Sequence, residues 1–172
     1  MGFEIEPVND KDYWSDRLNK YPRLHQAVFL CHEHHWDRLQ VIHKDILHDV
    51  LGDSDSVLDV GCAWGRLLDL FPKTWSGEYL GIDVCPDFID IAKREHPDQS
   101  FLAGDLLDIQ LPLRKDGLLF DYGIVSSVKH MVIRNMGESV WDSMENIVRS
   151  QCKCLLFLEY DLNDGGFILQ EC

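Results

Sequence analysis

No run of apolar residues in this chain is long enough to span a bilayer, so no membrane partner is expected. The opening MGFEIEPVND lacks a basic segment followed by an apolar one, and carries no Ser or Thr at position six. Neither a secretory leader nor a myristoylation site is therefore expected. Basic residues are scarce: 16 Lys and Arg against 30 Asp and Glu give a formal net charge of -14. That field repels phosphate backbones and makes nucleic acid a disfavoured partner. The one basic run, Lys11, Arg17, Lys20 and Arg23, reads as a solvated helix face. Low-complexity segments and internal repeats are absent too, which argues against disorder and solenoids.

Metal signatures are missing in the same way. The six cysteines, at 31, 62, 85, 152, 154 and 172, contain no Cys-x-x-Cys pair. The histidines at 25, 32, 34, 35, 43 and 48 contain no His-Glu-x-x-His, although Cys31 and His35 share helical spacing. No metal site is expected. A chain of 172 residues that is 45% hydrophobic can build a core without disulfides. A reducing, cytoplasmic setting follows as the expectation.

What is present is a periodic pattern. Residues 10–50 read as helical, with Leu24, Val28, Cys31, Leu39, Ile42, Ile46 and Val50 on one side and Pro22 suited to a helix start. After the polar turn at 52–56, Val57-Leu58-Asp59-Val60 reads as a buried strand. A helix is expected over 66–71, a strand over 78–84 and a helix over 86–95. Strands are then expected at 101–104 and 119–125, separated by a loop over 105–118. A helix carrying Val140, Trp141, Met144, Ile147 and Val148 leads to a strand at 154–159, and 166–171 can form one more. Strands alternating with helices imply right-handed βαβ units: an α/β fold with a parallel sheet covered on both faces. Ligands of such sheets bind outside the carboxyl ends of the strands.

Those ends hold the unusual residues. Asp59 is followed by the turn Gly61-Cys62-Ala63-Trp64-Gly65, where backbone can approach a ligand closely. Asp83 ends the second strand, where an acid can accept hydrogen bonds from ribose hydroxyls. Asp105 ends the third. Acids at apolar strand ends are costly unless a partner satisfies them, although each could instead cap a turn or a helix. A nicotinamide dinucleotide site shares the outline, but its fingerprint is Gly-x-Gly-x-x-Gly, whereas this turn is Gly61-x-Ala63-x-Gly65 and has Asp59 where a pyrophosphate would be repelled.

The run Val57-Leu58-Asp59-Val60-Gly61-Cys62-Ala63-Trp64-Gly65 resembles the first motif of the class I, Rossmann-like S-adenosylmethionine-dependent methyltransferases, and the similarity extends over roughly residues 55–160. The family's pattern has glycine where this chain has Ala63. The resemblance implies a sheet of five to six strands with a C-terminal antiparallel hairpin, here shortened or absent. It implies S-adenosylmethionine as cofactor, with Asp59, Gly61, Cys62, Ala63 and Gly65 against its methionine part, Asp83 and Val84 at the ribose, and Asp105 and Leu106 at the adenine. The chain is read as a single domain, 1–52 an N-terminal helical region and 53–172 the cofactor-binding α/β core.

The fourth strand ends in Ser126-Ser127-Val128-Lys129-His130, where such enzymes carry acceptor-side groups. Ser126 is placed at the cofactor, His130 is the candidate general base and Lys129 the candidate guide for an anionic acceptor, against the alternative of a capped turn with a structural histidine. Tyr13 and Trp14, on a helix before the core, are candidates for a lid over the cofactor, against plain packing. Neither the Asn/Asp-Pro-Pro-aromatic signature of amino-methylating DNA enzymes nor a Pro-Cys nucleophile is present. The expected activity is methyl transfer to oxygen or nitrogen of a small molecule. The alternative is an inactive cofactor-binding module or partner subunit, suggested by Ala63-Trp64 and by the short stretch after the fifth strand. That short stretch leaves an open sheet edge which a homodimer could cover.

Overall fold

In the computed structural model, residues 11–28, 33–112, 114, 116–160 and 167–170 are described. The N-terminal region forms α1 (Lys11–Lys20), α2 (Leu24–Val28) and α3 (Glu33–Val50). The core follows as β1 (Val57–Val60), β2 (Tyr79–Asp83), α4 (Pro86–Glu95), β3 (Ser100–Ala103), β4 (Phe120–Ser126), α5 (Lys129–Met136), α6 (Glu138–Gln151), β5 (Cys152–Tyr160) and β6 (Phe167–Gln170). Cys31 and His32 lie outside the described residues.

The strands make one sheet in the order β3-β2-β1-β4-β5-β6. The first five run parallel, and β6 pairs antiparallel with β5, Phe157 opposite Gln170. This is the expected α/β class, and among the described residues one antiparallel strand, β6, follows the five parallel ones. Strand pleat divides the core in two. Leu58, Val60, Leu80, Ile82 and Val125 pack with Trp141, Met144 and Val148 of α6 on one face. Val57, Tyr79, Ile124 and Leu156 pack with Leu47 of α3 and with Ile89 and Ala92 of α4 on the other. The central strands β1 and β2 are buried on both sides because both faces are covered, as parallel strands require.

Two expectations change. Residues 66–71 do not form an α-helix; they make turns and a short 3-10 helix at Leu68–Leu70. Its bonds close over three residues, Leu68 N–H to Gly65 O at 3.0 Å and Leu70 N–H to Leu67 O at 2.9 Å. The cause is local. Gly65 at φ 79° starts the segment in left-handed geometry, and Phe71, ahead of Pro72, is extended at ψ 155°. Too little chain remains between them to nucleate a full helix. Conversely, the run after Ser127 is helical from Lys129 onward, where the sequence reading placed only a turn.

The N-terminal helices lie against the first turn. Arg17, expected as a solvated charge, is half-buried, and its guanidinium donates to the carbonyls of Ala27 and, at 3.2 Å, Gln26, tying α1 to α2. A small core of Ala27, Ala63, Cys85 and Phe88, flanked by Trp14, Leu18 and Trp64, seats them there.

Candidate functional site

Strand order reverses between β1 and β4, and a cleft opens over the carboxyl ends of the strands at that point. It holds about 1010 Å³ including its open mouth. Gly61, Ala63, Asp83, Val84, Asp105, Leu106, Ser126 and Trp14 line it, all of them expected site residues. Asp59, Cys62, Gly65, Tyr13, Lys129 and His130 do not.

The floor is the turn after β1. Gly61 and Cys62 both donate to the Ile82 carbonyl, at 2.8 and 3.0 Å, so the turn folds back across β2. Gly61 has φ 74°, and a Cβ there would stand 2.3 Å from Cγ2 of Val128. Only glycine meets both demands. Ala63 is left-handed too, at φ 49°. Its N–H donates to Oδ2 of Asp83 at 2.9 Å, while Cys85 N–H donates to Oδ1 at 2.9 Å. Asp83 is thus aimed by two backbone bonds, and each oxygen keeps a second lone pair for a ligand hydroxyl. Burial pushes its pKa up to about 6, against the downward pull of those two N–H bonds. Asp105 accepts from Leu107 N–H at 3.0 Å and borders the cleft beside Leu106. Val128, Met131 and Val132, the last two on α5, supply an apolar wall next to it.

Asp59 stands elsewhere. It is 1% exposed, and Oδ2 accepts from the Tyr79 hydroxyl at 2.7 Å while Oδ1 has no hydrogen-bond partner among the described residues. Desolvation lifts its pKa to about 6 despite the Tyr79 bond and the attraction of Arg66. The thiol of Cys62 is buried and pushed well up by desolvation, so it is a packing group. Gly65 packs against His96 and Phe101. The Tyr13 ring meets Trp14 edge-on at 5.1 Å, and only Trp14 borders the cleft. Lys129 turns inward, its Nζ 4.9 Å from the Phe157 ring centre and 5.4 Å from that of Trp141.

Arg66, Trp36 and Ser127 are among the lining residues that were not expected at the site. Arg66 is 8% exposed; it donates to Ser126 Oγ at 2.6 Å and to Nδ1 of His43 at 3.3 Å, and lies 5.6 Å from the Trp36 ring centre. Trp36 itself borders the cleft from α3. Ser127 follows β4 at φ 60° with a buried hydroxyl that has no hydrogen-bond partner among the described residues. Arg66 directly follows the glycine turn, and its position there was the one available signal. No group of His, Cys, Asp and Glu among the described residues is arranged to hold a metal.

A parallel sheet with a glycine turn after β1 and a backbone-aimed acid at the end of β2 defines a Rossmann-like nucleoside-binding domain. A model of the methyltransferase domain family matches residues 57–151, more than half of the chain. The protein belongs to that family, the class I methyltransferases, whose cofactor is S-adenosylmethionine. No curated protein sequence matches the chain.

Solved structures share the fold. DesVI of Streptomyces venezuelae aligns at TM-score 0.57 and 17% identity over 83% of this chain and 58% of its own. CalS10 of Micromonospora echinaspora, an amino pentose methyltransferase solved with bound S-adenosylmethionine, aligns at 0.53 and 16% over 96% and 60%. A chain from the complex of the Haloferax volcanii Trm112 activator with a methyltransferase aligns at 0.59 and 18% over 93% and 62%. The chain therefore spans about three fifths of the length of these structures.

Proposed function

We propose that the cleft binds S-adenosylmethionine and that the protein transfers its methyl group to an oxygen or nitrogen of a small molecule. The observation that carries this reading is Asp83, held at the mouth of β2 with both oxygens aimed by backbone N–H groups and still able to accept. The residues fit the cofactor. The missing Cβ of Gly61 leaves room where Val128 closes in, Asp83 would take the ribose hydroxyls, and Asp105 with Leu106 would border the adenine. When bound, the cofactor supplies an electrophilic methyl on a sulfonium, which leaves as a neutral thioether. The chain's own contribution is position: the glycine turn fixes the donor, Trp14 and Trp36 wall the cleft from the N-terminal helices, and effective molarity supplies the rate. The amino-sugar acceptor named for CalS10 supports a small-molecule acceptor.

One observation favours a second reading, a binding module without transfer activity. Neither His130 nor Lys129 borders the cleft, so among the described residues neither candidate acceptor-side group meets a substrate there. Free Cys62 and Cys85 support a reducing, cytoplasmic setting. No helix among the described residues is long and apolar enough to cross a membrane. A second copy would cover the C-terminal edge of the sheet, where β6 lies beyond β5.

Calorimetry with S-adenosylmethionine and S-adenosylhomocysteine tests the reading. Wild type is expected to bind both, and Asp83→Ala to lose at least about tenfold, the worth of a charge-assisted hydrogen bond. Absence of binding by wild type would refute both readings. Binding without passage of a labelled methyl group to any small-molecule pool would leave the module.

A further inference from the structure

We propose that the methyl acceptor is a ring nitrogen of a neutral, flat heteroaromatic molecule, seated against the apolar wall that α2, α3 and α5 give the cleft. The acceptor so named rests on the methyl-donor reading above. The wall comes from helices and not from the sheet: Val28 of α2, Trp36 and Leu39 of α3, and Met131 of α5. All three methionines after Met1, at 131, 136 and 144, border the cleft. Thioether side chains adapt to the outline of an apolar ligand and make favourable contacts with aromatic rings. At about 1010 Å³ with its open mouth, the cleft reaches the top of the roughly 300–1,000 Å³ that small-molecule sites span, which leaves room for a second small molecule beside a nucleoside.

Charge selects which apolar molecule fits. The charged side chains among the described lining residues are Arg66, Asp83 and Asp105. Arg66 is answered from behind: Asp59 supports its charge, and the guanidinium donates to Ser126 Oγ at 2.6 Å and to Nδ1 of His43 at 3.3 Å. The two carboxylates therefore set the sign of the field in the cleft, within a chain of net charge -14. That field disfavours a thiolate, phenolate or carboxylate acceptor and favours a cationic product. An alkyl amine, with a pKa near the ~10.4 of lysine, is protonated at pH 7 and has no lone pair to give. An alcohol must lose a proton, and the bases among the described lining residues are Asp83 and Asp105, which the nucleoside occupies. Aromatic ring nitrogens are much weaker bases, imidazole at about 6.5, so a nitrogen of pyridine type is neutral with its lone pair ready in the ring plane.

The step balances without a base. The nitrogen lone pair forms the bond to the methyl carbon, the carbon–sulfur bond breaks with its electron pair going to sulfur, and no proton is released. The positive charge passes from the sulfonium to the ring. Transfer is thereby reconciled with a cleft that neither His130 nor Lys129 borders. Ser127 is the positioning residue. Its backbone is left-handed at φ 60°, its N–H donates to the Leu158 carbonyl at 3.1 Å, and its hydroxyl is buried in the cleft lining with no hydrogen-bond partner among the described residues. A carbonyl or amide substituent on the ring would satisfy that hydroxyl and fix the ring's rotation.

The test is calorimetry and labelled-methyl transfer on the full chain. Protein saturated with S-adenosylhomocysteine is titrated with isoquinoline, naphthol, naphthoate and glucosamine, and the same four are then offered with S-adenosylmethionine carrying a labelled methyl group. Isoquinoline should bind at least about tenfold more tightly than naphthoate or glucosamine, whose charges must be desolvated against the wall. It alone of the four should take the label, with kcat/KM flat between pH 7 and 9, because Asp83 and Asp59, at about 6, and His43, at about 3, have titrated below that range. Met131→Lys should weaken binding of N-methylisoquinolinium by about fivefold more than binding of neutral isoquinoline, a difference that a packing defect would not produce. Ser127→Ala should lower affinity for pyridine-3-carboxamide by about threefold or more and affinity for isoquinoline by less. The proposal is overturned if naphthoate or glucosamine binds as well as isoquinoline, or if label passes to naphthol or glucosamine and not to isoquinoline. A protein that binds neither S-adenosylmethionine nor S-adenosylhomocysteine would refute the donor reading itself. Binding of both without binding of isoquinoline would overturn the acceptor alone.

Discussion

Raising the pH from 5 to 7 should tighten binding of S-adenosylmethionine by about four- to eightfold, through one or two ribose hydrogen bonds to Asp83. Burial puts this carboxyl at about 6 in the ligand-free protein. It is ionised to roughly a tenth at pH 5 and nine tenths at pH 7, on simple titration. Ribose hydroxyls donate best to the anion, since a hydrogen bond to a charged acceptor is worth about 1 kcal/mol more than a neutral one. The ligand therefore favours the ionised form, binding expels a proton, and affinity climbs as pH rises through 6. Asp59 also sits at about 6 and is the necessary control, because it does not border the cleft. His43, held near 3, stays neutral throughout. Titration calorimetry at pH 5, 6 and 7, in paired buffers of different ionisation enthalpy, reads both affinity and proton release. Asp83→Asn should flatten the profile and Asp59→Asn should keep it. A flat wild-type profile, or a slope that survives Asp83→Asn, would refute the reasoning.

Asp59 makes its own mark on stability. Its folded pKa, about 6 against 3.8, lies above the unfolded value, so its stabilising contribution is full below 3.8 and is lost as pH rises through 6. The shift is worth roughly 3 kcal/mol, and urea unfolding at pH 4 and 8 should show Asp59→Asn losing less stability across that range than wild type by up to this amount. Gly61→Ala should destabilise by roughly 2–4 kcal/mol, from left-handed strain and from a Cβ driven into Val128. Adding Val128→Ala should recover the steric part alone, measured by the same unfolding. Lys129→Met and His130→Ala should leave cofactor affinity within about twofold of wild type, the usual reach of substitutions remote from a site; a larger loss on calorimetry would show that they face the ligand.

The alternation of strand and helix was legible because a covered parallel sheet makes each strand apolar on both faces; β1, β2 and α4 fall within a residue of their expected bounds. Two segments failed for opposite reasons. Leucines at 67, 68 and 70 look like a helix, but local backbone geometry at Gly65 and Phe71 leaves too little chain to form one. Ser126 through His130 looked like a strand end and turn, yet Val128, Val132 and Met136 recur at four-residue spacing and pack on the core, and Lys129–Met136 forms α5. That helix carries Lys129 inward over Phe157 and Trp141, where the fatty stem is buried and the ammonium meets ring faces. Its charge suggested a substrate guide only while the segment was read as a loop.

The acids show why a motif names residues more readily than it assigns their work. Asp59 and Asp83 look equivalent in the sequence, each closing an apolar strand. Register separates them. Asp59 lies opposite Gly81 and Val60 opposite Ile82, so Asp83 stands level with Gly61, beyond the last paired residue of β1. Asp83 therefore clears the sheet and reaches the cleft, with the turn's own Ala63 N–H aiming it. Asp59 is two positions deeper, and the turn closes over it, leaving Tyr79 as its hydrogen-bond donor and Arg66 as its nearest electrostatic support. Arg66 in turn faces the cleft. The carboxylate that looked like a ligand contact thus serves the cation that lines the site.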